Sequence, residues 1–320
     1  MLKSGISNFL FFHLFFLTGH LFFSQVPKEY NDGHGKKVLI PLGDMAFADS
    51  LISYKPGNPG PLYEKCKNGK LALGIPDFDG RDNNFTVLGT GGELVLFFKD
   101  NALINIPGID LYVFELGKYI EETYLSISKD GKIWKNVGKI KGGNAAVDLG
   151  DSISADEVYR YVRLRDMSSA PDYPESYPGA DIDAVAAIGS AQTITLSSNV
   201  LFNFADANLK QGAYRTLDSI ASYLNNNPDF LVKIQGHCDS IGNKKNNQYL
   251  SLQRATSVKN YLSVKTRNKK LKFMVEGFSS DLPVSSNATE SGREKNRRVE
   301  LFLIPKQHKS NLSDKSNKKQ

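Results

Sequence analysis

The chain has 320 residues, with 40 Lys plus Arg against 34 Asp plus Glu, a formal charge of +6 and a pI near 9.0. Its 40% apolar and 23% charged residues can bury a core, which excludes a wholly disordered or collagen-like chain and leaves room for two or three domains. The two cysteines, Cys66 and Cys238, have no metal-ligand spacing, so a disulfide scaffold and a zinc module are excluded, and two thiols are expected rather than a bridge.

Residues 1–24, MLKSGISNFLFFHLFFLTGHLFFS, carry one Lys and then a run dense in Phe and Leu, the pattern of a secretory signal peptide cleaved before Gln25. The rival is an uncleaved anchor. His13 and Gly19-His20 interrupt the run and leave it short of the ~20 apolar residues that a spanning helix needs. Residues 25–190 follow as short β-type runs separated by Gly, Pro, Asn and Asp: ELVLFF (93–98), DLYVFEL (110–116), TYLSIS (123–128), YRYVRLRD (159–166) and IDAVAAIG (182–189). That spacing predicts an antiparallel β-sandwich. In TYLSIS, Tyr124, Ser126 and Ser128 alternate with Leu125 and Ile127, which predicts one buried and one wet face.

After Gly189 the texture changes. NVLFNF (199–204) reads as a strand, and Leu217, Ile220, Ala221 and Leu224 mark one face of a helix that stops at Asn225-Asn226-Asn227-Pro228. FLVKIQGH (230–237), LKFMVEGF (271–278) and RRVELFLI (297–304) read as strands, and a second helix starts near Asn246 or Asn247 with Ala255, Val258 and Leu262 inward. Residues 191–304 are therefore an α/β sandwich. Residues 305–320 are a polar, basic, disordered tail.

Asp239 follows the second strand of this half, in a loop loosened by Gly242. Asn247, Leu250 and Arg254 stand at i, i+3 and i+7 and share one helix face. An acid and a guanidinium at one pocket suit a ligand that carries both an ammonium and a carboxylate. The bland alternative is a plain Asp239 to Arg254 salt bridge. His237 has no nucleophile pattern beside it and reads as a solvent-facing strand end, while Arg293, Arg297 and Arg298 read as packing and turn-fixing residues.

The segments GHCDSIGNKKNNQYLSLQRATSVKNYL (236–262) and EGFSSDLPVSSNATESGREKNRRVEL (276–301) resemble the OmpA C-terminal family of peptidoglycan-binding domains. The resemblance implies meso-diaminopimelate of the peptidoglycan stem peptide as ligand. Asp239 and Arg254 would grip it, Asn247 and Leu250 would line the pocket, and the loop from Phe204 to Asp206 would add contacts. Cys238 stands where the family usually has Thr, a weaker hydrogen-bond partner that softens the loop. More loosely, residues 40–189 resemble discoidin-like modules with a galactose-binding, jelly-roll fold, which bind glycans or proteins.

Carboxylates gather at Asp77, Asp79 and Asp82, at Asp181 and Asp183, and at Asp110 and Glu115 between them. A structural Ca²⁺ in the sandwich and solvated turn acids are the two readings of that set; PDFDGRDNN is not an EF-hand loop. The combined expectation is a non-catalytic, exported protein of the periplasm, associated with the outer membrane and cell wall. It binds peptidoglycan through one domain and a glycan or outer-membrane protein through the other. The rivals are an envelope enzyme with a carbohydrate-binding module and an inner-membrane-anchored, motor-stator-like attachment protein. Nucleic acid is not an expected partner, because the charge is divided: residues 25–190 hold 18 basic and 24 acidic groups, and residues 191–304 hold 16 and 9.

Overall fold

The computed structural model describes residues 27–78, 80, 84–116, 121–140, 145–169, 176–227, 229–268 and 271–306. The segment 1–24 expected to be a signal peptide and, of the tail expected at 305–320, all but Pro305 and Lys306 lie outside the described residues. In chain order the elements are β1 (Lys28–Asn31), β2 (Lys37–Ile40), β3 (Ser50–Lys55), β4 (Thr86–Val87), β5 (Glu93–Phe97), β6 (Asn101–Leu103), β7 (Leu111–Glu115), β8 (Thr123–Ser128), β9 (Trp134–Ile140), β10 (Ala145–Val147), β11 (Tyr161–Asp166), β12 (Asp181–Ala187) and β13 (Ser190–Ser197). They continue with α1 (Ser198–Leu201), α2 (Ala213–Asn226), β14 (Phe230–Gly236), α3 (Lys244–Lys265), β15 (Lys272–Gly277), α4 (Glu290–Asn296) and β16 (Arg298–Pro305).

Short β-branched and aromatic runs in the first half pair into two larger antiparallel sheets, β10-β7-β12-β4 and β3-β5-β11-β8-β9, beside the two-stranded pair β1-β2. Leu94, Leu96, Leu125, Ile127 and Leu164 of the larger sheet share one core with Val113, Val147 and Val185 of the smaller. Burying each such side chain contributes about 1.5–3 kcal/mol. The half-wet reading of TYLSIS is corrected: Ser126 and Ser128 are buried, and only Tyr124 of the strand is partly exposed. Their hydroxyls find partners within the sheet, Ser126 donating to Asn136 Oδ1 at 3.0 Å and Ser128 to the Ile133 carbonyl at 2.6 Å, which removes the cost of drying them.

The second half builds a mixed sheet in the order β15-β14-β16-β13-β6, with β14 and β15 parallel and the other pairs antiparallel. Leu217, Ile220 and Leu224 of α2 and Ala255, Val258 and Leu262 of α3 pack on one face, against Val232, Ile234, Leu301 and Leu303. The fifth strand, β6, comes from the β-rich half, so the two halves share a sheet. The opposite face of β16 presents Phe302 and Ile304 to Ala102, Ile104 and Val158. On the same face Glu300 pairs with Arg160, both buried.

The strand expected at 199–204 is a second correction. The first strand of this half is β13, and Ser197 ends it by accepting a hydrogen bond from the Asn199 backbone N–H, which caps α1. Helix α3 starts at Lys244, earlier than the apolar pattern indicates, because the Asn243 side chain accepts from the N–H groups of Lys245 and Asn246. Helix α4, short and polar, has no apolar period from which it could be read. Cys66 and Cys238 are buried thiols and form no disulfide with each other. Among the described residues no helix is long and apolar enough to cross a membrane.

Candidate functional site

Two facing glycines set the site. Gly236 and Gly277 are register partners at the C-terminal ends of β14 and β15. A Cβ on Gly236 would sit 2.0 Å from the Ser251 carbonyl, and one on Gly277 would sit 2.6 Å from the Leu252 backbone nitrogen. Glycine at both positions therefore lets α3 lie directly on the strand ends. Ser251 then accepts a hydrogen bond from the Ser279 N–H at 3.1 Å, and Arg254, one turn further along, faces the 203–206 loop. Ser279 itself holds φ +50°, and its carbonyl accepts from the Cys238 N–H at 2.7 Å, tying the strand end before Asp239 to the neighbouring turn.

Asp239 is only 8% exposed. Its Oδ1 accepts from the Ile241 N–H at 2.9 Å, and its Oδ2 accepts from Arg297 Nη1 at 2.7 Å. Arg297 extends on to Glu290 at 2.7 Å. The plain Asp239 to Arg254 salt bridge does not form. Arg297, read from sequence as a packing residue, is the partner of the site acid; the signal available was its place in the Arg-rich run opening β16, beside the β14 end in register. Asn247 donates its amide to the carbonyls of Ile241 at 2.8 Å and Asp239 at 3.3 Å, holding the loop that presents the acid.

Arg254 is 5% exposed, yet no carboxylate lies within 4 Å of it among the described residues. Its Nε donates to the Asp206 carbonyl at 2.9 Å and its Nη2 to the Asn203 carbonyl at 3.5 Å, and the guanidinium lies 5.2 Å from the centre of the Phe202 ring. Burial pushes its pKa down, an effect opposed by the surrounding acid groups. The loop that it clasps carries Ala205 at φ +54°, a left-handed position costly for a non-glycine residue, and Phe204 at 99% exposure. Asp206 stays ionised below the usual carboxylate range because the Asn208 N–H and side chain donate to it. Leu250 is partly buried on the same helix face as Asn247 and Arg254. Asn247 thus ties the Asp239 loop to the start of α3, Arg254 ties α3 to the 203–206 loop, Leu250 lies between them on the same helix face, and Phe204 in that loop is exposed.

Cys238 donates its Sγ toward the Asn247 carbonyl at 3.6 Å, and burial pushes its thiol pKa up, so it sits as a neutral thiol in the loop wall. His237 is a third correction. It is 1% exposed rather than solvent-facing, stacked on Phe278 at 5.7 Å and 3.3 Å from Glu300. Burial, together with the charges of Arg298 and Arg160, pushes it down to about 4, so it is neutral at physiological pH. Arg293 fixes a turn as expected, through the Asn287 carbonyl at 3.0 Å, and Arg298 is buried on Glu300 at 3.0 Å.

The described carboxylates of the β-rich half make hydrogen bonds within the protein or lie buried beside one another. Among the described residues no group of three His, Cys, Asp or Glu is placed to hold a metal, and Asp79 and Asp82 lie outside the described residues. Asp110 instead anchors loops, accepting from the Ile106 N–H at 2.6 Å and the Leu149 N–H at 2.8 Å. Asp183 accepts weakly from the Asp77 N–H at 3.4 Å. Burial first, then the neighbouring acids Glu121 and Glu115, pushes Asp181 up to about 9.

The OmpA family matches residues 201–297. Outer membrane porin F of Pseudomonas aeruginosa is 29% identical over 134 residues, covering 42% of this chain and 37% of that protein. The probable lipoprotein YiaD of Escherichia coli K12 is 33% identical over 122 residues, 38% of this chain and 55% of the relative. The peptidoglycan-binding protein ArfA of Mycobacterium tuberculosis is 35% identical over 133 residues, 42% and 39% of the two. The chain thus spans between about a third and about half the length of these relatives. Among solved structures, the cell wall anchor of the T6SS from Pseudomonas aeruginosa aligns at 30% identity with a TM-score of 0.33, over 36% of this chain and 82% of that one. Residues 201–297 of this chain form an OmpA-family domain.

Proposed function

We propose that this chain is a non-catalytic protein of the cell envelope that holds peptidoglycan without a covalent bond. Its ligand is the zwitterionic end of meso-diaminopimelate in the stem peptide. One observation carries the reading: Arg254 is buried, ordered by two backbone carbonyls, and faces no carboxylate. A buried guanidinium with no carboxylate in direct contact is costly even with acid groups nearby, and a ligand carboxylate taking its remaining N–H groups removes that cost. The ligand ammonium goes to Asp239, whose two oxygens keep acceptor capacity beyond the Ile241 and Arg297 bonds. Asn247 and Leu250 line the pocket, and the turn carrying Phe204 and Asp206 covers it. The names of the relatives, a peptidoglycan-binding protein, an outer membrane porin and a lipoprotein, support this reading and a place between the outer membrane and the wall.

The β-rich half, read as a discoidin-like module, serves in this proposal to bind a glycan or outer-membrane protein. The test is co-sedimentation with purified cell-wall sacculi. It uses the whole chain, because a fragment from residue 191 would lose β6 and the Arg160 partner of Glu300. Wild type pellets with sacculi, and Arg254→Ala and Asp239→Ala each weaken binding by at least tenfold. Wild type left in the supernatant, or both variants pelleting like wild type, rejects the assignment.

A further inference from the structure

Beside the diaminopimelate site, a groove of about 740 Å³ runs between α2 and α3. Two partly exposed tyrosines, Tyr214 on α2 and Tyr261 on α3, stack at 5.2 Å with an interplanar angle of 15°. Around them stand Asn208, Asp218, Asn260 and Lys265. Asp218 accepts from the Tyr261 hydroxyl at 2.8 Å and pairs with Lys265 at 3.3 Å, so the fixed charges of the groove are matched within it. An aromatic platform rimmed by amides, with its charges already paired, suits a neutral, hydroxyl-rich ring better than an ion.

The groove and the site share a wall. Asn208 lines the groove and donates both its backbone and side-chain N–H to Asp206 Oδ1 at 2.9 Å, in the loop that Arg254 clasps. Tyr261 lies seven residues beyond Arg254 along α3, two turns and about 10.5 Å at ~1.5 Å per residue. In the stem peptide diaminopimelate is the third residue from the sugar, and three extended residues span about 10–11 Å. The peptide therefore has the length to leave the Arg254 site and deliver its sugar to the tyrosines.

We infer that the α2–α3 groove is a saccharide subsite that takes an N-acetylhexosamine ring of the same peptidoglycan strand whose diaminopimelate occupies the Arg254 site. The inference rests on the proposed function above. Sugar C–H faces pack on the tyrosine rings, while Asn208 and Asn260 address the acetamido and hydroxyl groups.

Titration calorimetry on the full chain tests it with two probes, the tripeptide L-Ala–γ-D-Glu–meso-diaminopimelate and the same tripeptide on its N-acetylglucosaminyl-N-acetylmuramic acid disaccharide. Wild type binds the disaccharide form about tenfold more tightly than the bare tripeptide. Tyr214→Ala, and independently the exposed Asn260→Ala, abolish that preference and leave tripeptide affinity unchanged. Equal wild-type affinity for the two probes overturns the subsite while leaving the diaminopimelate reading in place. So does a preference that survives both variants, or a parallel loss for both probes. If wild type binds neither probe, the diaminopimelate reading itself falls, and the subsite with it.

Discussion

Asp181 shows how far a residue's chemistry can depart from what its letter suggests. In sequence it is one of several acids in a β-rich half, equally suited to a cation or to a wet turn. In the fold it lies on the inner strand β12, buried, with Oδ1 lacking a hydrogen-bond partner among the described residues and with its pKa pushed up to about 9. The sign follows from linkage: the folded chain keeps a proton that the unfolded chain releases above about pH 3.8. Asp181 therefore supports the fold fully at low pH, and its support is lost as pH rises toward 9. Asp181→Asn removes this titration. Between pH 5 and pH 8, denaturant melts should show wild type losing stability relative to the variant, by ~4 kcal/mol at most at about 1.4 kcal/mol per unit. Parallel pH profiles would show that the carboxyl is already ionised in the fold. The places of Asp239 at a strand end and of Arg254 on a helix face were legible, because local sequence sets both. Arg297 was not, because its approach to Asp239 depends on the long-range antiparallel register of β14 and β16.

At the scale of elements, period and caps decide what could be read. The apolar period of α2 and the apolar runs of β14 and β16 were visible, and α3 could be read from Ala255, Val258 and Leu262 alone, whereas β6, three residues long, carries no period at all. Its place is fixed only by pairing with β13 and by neighbours such as Arg160. Within the β-rich half that arginine donates Nε to the Phe98 carbonyl at 2.9 Å and Nη2 to the Lys99 carbonyl at 2.6 Å, and it reaches across to pair with Glu300 of β16. Burial alone would raise the Glu300 carboxyl, but Arg160 and Arg298 overcome it and hold the group well below the usual carboxylate range. Removing Arg160 leaves buried Glu300 with Arg298 as its remaining cation and takes a donor from the Phe98 and Lys99 carbonyls, so Arg160→Ala should cost about 3 kcal/mol in urea unfolding, the low end for a broken buried pair. A loss under 1 kcal/mol would mean that water reaches Glu300 and that the two halves are not joined there.

For the whole molecule, the net charge of +6 belongs to no single surface. An acidic β-rich half adjoins a basic OmpA-family domain, yet the buried pair between them runs the other way, with the arginine from the acidic half and the glutamate from the basic one. Composition predicts attraction between the halves; only the fold shows that they share a sheet and a cavity of about 190 Å³ lined by Arg160, Lys233, Arg298 and Glu300. The family resemblance of the second half was legible in its motifs, since these residues form the strand end, helix face and turn that build the site. The topology of the first half was not, because short strands separated by turns are compatible with several strand orders. The central claim is that Asp239 and Arg254 read the two charges at the far end of meso-diaminopimelate. Its most direct test is calorimetric titration of the full chain with the diaminopimelate tripeptide and with the same tripeptide carrying L-lysine, which keeps the ammonium and lacks the distal carboxylate. The account predicts that wild type binds the diaminopimelate form at least tenfold more tightly and that Arg254→Ala erases the difference. Equal affinity of wild type for the two peptides would contradict it.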